Sequence, residues 1–155
     1  MHNKIEIIPF SESLAKDFEA LNLAWLKKYF SIEPIDKEML SNPKSYFIDK
    51  GGHIFFATYN GKVAGTFALM KTDNESYELS KMAVNEEFQG LKIGHTLLQF
   101  AIERSKELGA KKLILFSSTK LAAAIHLYRK YGFKEVPLGN SEYKRSDIKM
   151  EKELA

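Results

Sequence analysis

Two strand-forming runs joined by Asn60-Gly61 constrain the fold of this chain more than any other feature. The runs read HIFFATY and KVAGTFALMK, and both contain the β-branched and aromatic residues that favour strands. Asparagine and glycine tolerate the positive φ angles that a two-residue hairpin turn requires. The sequence therefore predicts an antiparallel hairpin over residues 53–71.

The rest of the chain alternates between strand and helix patterns. Apolar residues in alternation or in short runs predict strands at 4–9, 76–84, 111–117, 133–138 and 143–154. Apolar residues spaced by three and four predict helices at 14–29, 92–108 and 121–131. Gly109 and Gly132 follow the last two helices as stop signals.

Two details complete this pattern. Residues 31–49 include Pro34 and Pro43, so we expect an irregular segment with one short helix after Asp36. The run KKLILFS is typical of a strand that is buried on both faces. The order β-α-β-β-β-α-β-α-β-β predicts a single α/β (mixed α+β) domain over residues 1–155, with a mixed central sheet and flanking helices.

The composition is typical of a soluble globular protein, with 45% apolar and 28% charged residues. No apolar run approaches the roughly 18 residues of a membrane span, and the start lacks the apolar region of a signal peptide. The 23 basic and 20 acidic residues are mixed along the chain, which argues against a nucleic-acid-binding face. With no cysteine and four scattered histidines, we expect no disulfide and no metal site. These features favour a cytoplasmic protein.

A glycine-containing turn links the strand that ends at Val84 to the helix that follows Lys92. The turn reads NEEFQGLKIG, and a glycine near a helix start lets the backbone approach a ligand closely. The first N–H groups of a helix have no partner within it and lie at the positive end of its dipole. Such a turn suits an anion such as a pyrophosphate, although similar turns also occur without any ligand.

Two segments resemble motifs of the GNAT superfamily of acetyl-CoA-dependent N-acetyltransferases. MAVNEEFQGLKIGHTLL is similar to the acyl-CoA loop Gln/Arg-x-x-Gly-x-Gly/Ala, with Gln89 and Gly94 at its first and last positions. Lys92 stands where glycine is usual, and we expect it to adopt ordinary helical dihedrals and to reach a phosphate. AAAIHLYRKYGFKEV is similar to the Ala-x-x-x-Tyr-x-x-x-Gly-Phe helix and the strand after it, matched by Ala124, Tyr128, Gly132 and Phe133.

The resemblance covers most of residues 50–153 and implies splayed strands that form a cleft for acetyl-CoA, the cosubstrate, with residues 76–133 as the acyl-CoA core. It implies cosubstrate-binding roles for Met82, Ala83, Val84, Gln89, Gly90, Leu91, Lys92, Ile93, Gly94 and His95. It makes Tyr128 the general acid that protonates the departing CoA thiolate, although Tyr128 also lies on the apolar stripe of its helix. The implied activity is transfer of the acetyl group directly to an amine.

An amine acceptor must be neutral to attack a thioester. An alkylammonium with a pKa of about 10.4 is mostly protonated at neutral pH, so a base or a water chain is useful. Glu78 is the best-placed carboxylate, because two-residue alternation places it on one strand face with Ser80, Met82 and Val84. A solvated glutamate without a catalytic role is the alternative.

Residues 1–49, where the resemblance is weaker, form the candidate acceptor side. Asn22, Trp25 and Tyr29 share one helical face and Glu33 follows them, and an aromatic wall beside a carboxylate suits a cationic amine. The same aromatic residues can simply cover the sheet. Small amines, amino acids, antibiotics and protein lysines all stay open as acceptors, and homodimer formation stays open too. The alternative function is a non-catalytic GNAT-like module that binds or senses acyl-CoA.

Overall fold

A seven-stranded mixed sheet lies at the centre of the computed structural model, which describes residues 4–73, 75–139 and 144–154. The strands are β1 (Ile5–Pro9), β2 (His53–Tyr59), β3 (Lys62–Lys71), β4 (Ser76–Val84), β5 (Lys112–Ser117), β6 (Lys134–Val136) and β7 (Ile148–Glu153). Their order across the sheet is β1-β2-β3-β4-β5-β7-β6. Within the described residues β4 and β5 are the one parallel pair, and the other neighbours are antiparallel.

The helices are α1 (Ala15–Tyr29), α2 (Pro34–Ser41), α3 (Ile93–Glu107) and α4 (Ala122–Lys130), with 3-10 turns at Glu12–Leu14 and Glu86–Phe88. The order of strands and of three long helices confirms the predicted mixed α/β architecture. In the described part of the chain, none of the helices has the length and apolar character that crossing a membrane requires.

The sequence prediction for residues 31–49 was wrong in two respects. Helix α2 begins at Pro34, ahead of Asp36, because Glu33 and Asp36 form a reciprocal capping box and proline is favoured in the first helical turn. The Glu33 N–H donates to Asp36 Oδ2 over 2.9 Å. A second helical segment, a π-helical turn at Lys44–Ile48, was not predicted at all.

The sheet separates two hydrophobic clusters. One cluster includes Phe67 of β3 and Leu97 of α3. The other includes Phe18 of α1 and Phe56 of β2. Neighbouring β3 residues alternate between them, since Phe67 belongs to the first cluster and Ala68 to the second. Full burial of each large side chain contributes about 1.5–3 kcal/mol, so both faces of the sheet are held by apolar packing.

The hairpin prediction is confirmed. Strands β2 and β3 pair in antiparallel register from His53 opposite Leu69 to Tyr59 opposite Lys62. At the turn, Asn60 has a φ of 50° and Gly61 a φ of 86°, as a turn with two positive φ angles requires. The hairpin places β3 beside β4, which is the middle strand of the sheet.

The predictions for the later strands need correction. Strand β5 is not buried on both faces, because Leu113 and Leu115 are buried whereas Ile114 and Phe116 are only half-buried. Strand β6 ends at Val136, directly before a proline, and β7 begins at Ile148. Residue 143, where the last strand was predicted to begin, lies outside the described residues.

The parallel pairing of β4 with β5 is short. It covers only Ser76–Glu78 of β4 and Lys112–Ile114 of β5. Strand β4 continues to Val84 and β5 to Ser117 without pairing with each other. The two strands therefore diverge, and the half-buried face of β5 borders the space that opens between them.

Candidate active site

A cleft of about 240 Å³ lies where β4 and β5 diverge. Its walls come from five parts of the chain: Asn22–Phe30 of α1 and its end, Glu78–Val84 of β4, Leu115–Ser118 of β5, Leu121–Tyr128 of α4, and Arg145–Ser146 before β7. The cleft therefore brings together the strand before the predicted anion-binding turn and the helix that carries Tyr128.

Strand β4 contains a bulge at the cleft. Ser80 pairs with Ala68 and Ala83 pairs with Thr66, so three steps along β4 correspond to two along β3. Lys81 has a φ of 53°, in the left-handed region. One extra residue in a strand reverses the inward and outward alternation beyond it.

The bulge overturns the prediction that Glu78 shares a strand face with Met82 and Val84. Glu78 lies opposite Met70 of β3, and Val84 lies opposite Gly65. Met70 and Gly65 are an odd number of residues apart on β3, so Glu78 and Val84 occupy opposite faces of the sheet. Both nevertheless line the cleft, because the cleft passes through the sheet where β4 and β5 separate.

The turn before α3 is open around its glycines. A Cβ atom added to Gly90 or Gly94 would meet no other atom within 4 Å. Gln89 is exposed, and the Asn85 side chain accepts a hydrogen bond from the Glu87 N–H over 3.0 Å. The first N–H groups of α3 have no partner within the helix. The turn thus has the space and the donors that an anionic group needs.

Lys92 does not adopt the ordinary helical dihedrals that the sequence analysis expected. It is the N-cap of α3 with a φ of 59° and a ψ of 32°, which is the left-handed conformation. This conformation costs a residue with a Cβ about 1–2 kcal/mol. The backbone geometry therefore explains why glycine is usual at this position of the motif that the loop resembles.

Tyr128 lies on α4, on the other side of the cleft from β4. Its side chain is half-buried and its ring lies 5.9 Å from that of Phe133, centroid to centroid. Burial raises the pKa of the Tyr128 hydroxyl from 10.0 to about 12. The hydroxyl is therefore protonated throughout the neutral range, as a proton donor must be.

Four charged residues form a cluster beside the cleft that the sequence analysis did not predict. We call Glu33, Asp36, Lys81 and Arg145 the ion cluster. Asp36 is fully buried and accepts from Lys81 Nζ over 2.7 Å and from Arg145 Nη1 and Nη2 over 2.8 Å each. Glu33 accepts from Arg145 Nη1 over 3.0 Å. The cluster joins α2, the β4 bulge and the segment before β7.

The cluster changes the protonation of its buried members. Burial alone would raise the pKa of Asp36, but hydrogen bonds from Arg145 and Lys81 outweigh burial and lower that pKa from 3.8 to about 2. Burial lowers the pKa of Lys81, and Asp36 counteracts this effect. The sequence offered only an Asp near a helix start and a lysine in a strand, so pairing between segments 45 and 109 residues apart could not be predicted from it.

The four residues predicted for the acceptor side do not form a single wall, although Trp25 borders two grooves and its ring centre lies 5.3 Å from that of Tyr29. Asn22 and Trp25 line the cleft, and Asn22 Nδ2 also donates to the Phe18 carbonyl over 3.0 Å. Tyr29 is 41% exposed and borders a second groove, formed by α1 and residues 84–89. Glu33 belongs to the ion cluster and lies outside the lining of the cleft as the structure describes it.

Known acetyltransferases are similar to this chain in sequence and in fold. The profile of the acetyltransferase (GNAT) family matches residues 18–133. The uncharacterized N-acetyltransferase YvbK of Bacillus subtilis is 30% identical over 105 residues, which cover 66% of this chain and 68% of YvbK. A GNAT-family acetyltransferase of Staphylococcus aureus Mu50 has a similar crystal structure, with a TM-score of 0.86, 25% identity and coverage of 98% of this chain and 100% of that one. The fold is also similar to that of yncA from Salmonella typhimurium, determined with its cofactor acetyl-CoA, at a TM-score of 0.75, 18% identity and coverage of 98% and 95%.

The ion cluster predicts a large effect of Asp36→Asn on stability. The substitution removes the buried counter-ion of Lys81 and Arg145, so we expect the free energy of unfolding to fall by about 3–5 kcal/mol. Asp49→Asn is the control, because Asp49 is exposed and a solvent-exposed ion pair such as the one it forms with Lys44 contributes little to stability. Urea unfolding of the three proteins at pH 7 measures both differences.

The lowered pKa of Asp36 also predicts how the stability difference between wild type and Asp36→Asn depends on pH. The folded-state pKa of about 2 lies below the unfolded value of 3.8. The charged carboxylate therefore stabilises the fold above about pH 4, and this contribution is lost as the pH falls toward 2. The difference between wild type and Asp36→Asn should shrink over that interval. A cost at pH 7 no larger than that of Asp49→Asn would contradict the proposed role of the cluster.

Because Lys92 is left-handed, we expect glycine at this position to give a more stable protein than alanine, which is the reverse of the order inside a helix. In the protein without CoA, Lys92→Gly should be more stable than Lys92→Ala by about 1 kcal/mol, because only glycine adopts this conformation without strain. Gly94 is the control, since it is the second residue of α3 and has no positive φ. There Gly94→Ala should stabilise by about 0.5–1 kcal/mol. If alanine is favoured at both positions in chemical denaturation, Lys92 is not left-handed.

Proposed function

The chain belongs to the GNAT family of acetyltransferases, and we propose that it transfers the acetyl group of acetyl-CoA directly to an amine acceptor. The observation that carries the proposal is the cleft between β4 and β5, with Glu78 and the bulge on one side and Tyr128 on the other. The cleft has two chemically different ends. One end of β4 leads to the turn that we assign to an anion, and the other faces a wall with the aromatic residues Trp25 and Phe30 and the charged residue Arg145.

The cosubstrate side of the proposal rests on β4 and the turn that follows it. Beyond Glu78, β4 has no β5 partner in the described residues, so the backbone of Met82, Ala83 and Val84 can pair with the amides of a pantetheine arm as a neighbouring strand would. We assign the pyrophosphate to residues 89–95, where the first N–H groups of α3 and the open space at Gly90 and Gly94 lie.

Acetyl-CoA supplies an acetyl thioester, whose carbonyl carbon is the electrophile. We assign the backbone N–H of residue 83 or 84 to polarise the thioester carbonyl. Tyr128 then donates its proton to the CoA sulfur as the C–S bond breaks. The hydroxyl carries its proton at neutral pH, and the burial that raises its pKa also disfavours an unprotonated thiolate beside it, so proton transfer to sulfur avoids a buried thiolate.

Glu78 is the base in this proposal. It lines the cleft on the sheet face that carries α1 and α2, which is the face of the acceptor wall formed by Trp25 and Phe30. A carboxylate there can accept a proton from the acceptor ammonium, directly or through a water. The nitrogen lone pair then adds to one face of the planar thioester carbonyl, and the tetrahedral intermediate collapses with cleavage of the C–S bond. The nitrogen releases its second proton to solvent, and a proton from solvent restores Tyr128.

Turnover with Tyr128→Phe tests the proposal. Wild type is expected to release free thiol from acetyl-CoA with at least one member of a panel of amines, amino acids, aminoglycosides and peptides. Tyr128→Phe should lower kcat by about 10²-fold, because the acid is lost, while calorimetric affinity for acetyl-CoA stays within about twofold. Tyr59→Phe, at a half-buried tyrosine outside the cleft lining, should keep its kcat.

Two results would count against this assignment. Near-normal kcat in Tyr128→Phe would leave Tyr128 with a packing role alone. Tight acetyl-CoA binding by the wild type without thiol release above background for any amine would favour an acyl-CoA-sensing module instead.

The pH dependence of Glu78→Gln tests the base separately. At pH 7 the variant should lose about 10²-fold in kcat/KM, because most acceptor amine is protonated. The deficit should shrink as the pH approaches the amine pKa of about 10.4, since the free amine no longer needs a base. Glu75→Gln is the control, because Glu75 is exposed in the turn before β4 and pairs with Lys111. A deficit that is constant with pH would show that Glu78 positions the acceptor without deprotonating it.

A further inference from the structure

The acceptor side of the cleft has a definite charge pattern. Its charged lining residues, among those that the structure describes, are Glu78, Lys81 and Arg145. The counter-ions of the two cations, Glu33 and Asp36, lie outside the lining. A molecule in this part of the cleft therefore meets the Glu78 carboxylate and the cations Lys81 and Arg145. The carboxylates of Glu33 and Asp36, which pair with these cations, do not line the cleft.

The two cations are paired with Asp36 and Glu33, and water screens their charge only weakly. The side chain of Lys81 is 5% exposed and that of Arg145 is 17% exposed. Charges in such surroundings interact more strongly than in water. A largely buried ion cluster is seldom more stable than apolar side chains of similar volume, so stability alone does not account for two largely desolvated cations at the wall of a binding cleft.

Ser80 adds a polar group to the same wall. It lies between Glu78 and the bulge, lines the cleft, and its hydroxyl oxygen is buried with no hydrogen-bond partner among the described residues. Buried hydroxyls nearly always have a partner. A ligand with an oxygen acceptor close to Lys81 would give this hydroxyl one.

The polar groups of this wall lie close together along the chain and in the cleft. Lys81 and Glu78 are near enough to interact electrostatically, and they are separated by only two residues before the bulge. The Arg145 guanidinium lies 5.9 Å from the centre of the Phe30 ring, which also lines the cleft. A negative group at the cations and a positive group at Glu78 would therefore belong to one small molecule, with an aromatic wall along it.

Resting on the proposed function, we propose that the acceptor is a zwitterion of the amino-acid class, which carries a carboxylate within a few bonds of the amine. Arg145 and Lys81 bind the carboxylate, Ser80 donates a hydrogen bond to it, and Glu78 receives the ammonium. Trp25 and Phe30 contact the side chain of the acceptor. The sequence analysis placed Glu33 beside the aromatic wall as the carboxylate for a cationic amine. Because Glu33 is paired with Arg145, Glu78 takes that role in this proposal.

The test compares each acceptor with its own carboxamide. Thiol release from acetyl-CoA is measured with amino acids and the matching amino acid amides, for example phenylalanine and phenylalaninamide, methionine and methioninamide. We expect kcat/KM to favour the free acid at least about tenfold, or roughly 1.4 kcal/mol, for the best pair. An amide has the less basic amine of each pair, so amine ionisation favours the amide and cannot produce this preference.

Arg145→Gln should reduce the acid-to-amide ratio by about tenfold or more. The ratio is measured on one preparation, so it does not depend on the fraction of enzyme that is folded. Arg129→Gln is the matched control, because Arg129 is an exposed arginine of α4 outside the cleft lining; it should keep the wild-type ratio. If Arg145→Gln does not fold, the charge-conserving Arg145→Lys replaces it, with a smaller expected reduction.

The outcomes separate the two proposals. Amides used as well as the acids, or a carboxylate-free amine preferred to both, would overturn the zwitterion proposal and leave acetyl transfer standing. An unchanged ratio in the Arg145 variants would also overturn it. No thiol release with any amine would refute the proposed function itself, and the zwitterion proposal with it.

Discussion

The short pairing between β4 and β5 is the feature on which the rest of the site depends. After Glu78 and Ile114 the two strands separate, which leaves backbone donors and acceptors of both strands facing a cleft. Buried backbone groups require partners, so an edge of this kind, inside a sheet and flanked by apolar packing, is suited to a ligand that brings amides of its own. The position of α4 across the gap then fixes which side chain meets the reacting end of that ligand.

The bulge at Lys81 and the ion cluster belong to the same arrangement. A left-handed φ at a lysine is strained, and the pair with the buried carboxylate of Asp36 offsets that strain by holding the ammonium in place. The extra residue also turns Glu78 away from the face of Val84. The bulge thus divides β4 in two. In the proposed function, the end before the bulge faces the acceptor, and the end after it leads to the turn assigned to the pyrophosphate.

Local patterns in the sequence were sufficient to predict most helices and strands. They were not sufficient to predict irregular backbone geometry or contacts between distant segments. The Asn60-Gly61 hairpin and the strand–turn–helix unit around Gln89 and Gly94 were predicted because short-range φ preferences and periodicity determine them. The bulge was not, because Lys81 is neither a glycine nor a turn residue and its conformation depends on a partner in α2. Lys92 was misjudged for a related reason: propensity says little about one residue whose dihedrals are imposed by the loop around it. On the acceptor side, Asn22 and Trp25 line the cleft whereas Tyr29 borders the second groove, because which groove a residue of α1 borders depends on the packing of the whole domain.

The most direct test of this account is residue-resolved amide hydrogen exchange with and without acetyl-CoA. If the cosubstrate binds between the diverging strands, the amides of residues 82–84 and of residues 90–95 should exchange more slowly in its presence. The amides of the β1–β2 edge, on the other side of β3, should be unaffected. Protection that appears elsewhere and leaves residues 82–84 unchanged would contradict the assignment of the strand gap as the cosubstrate site.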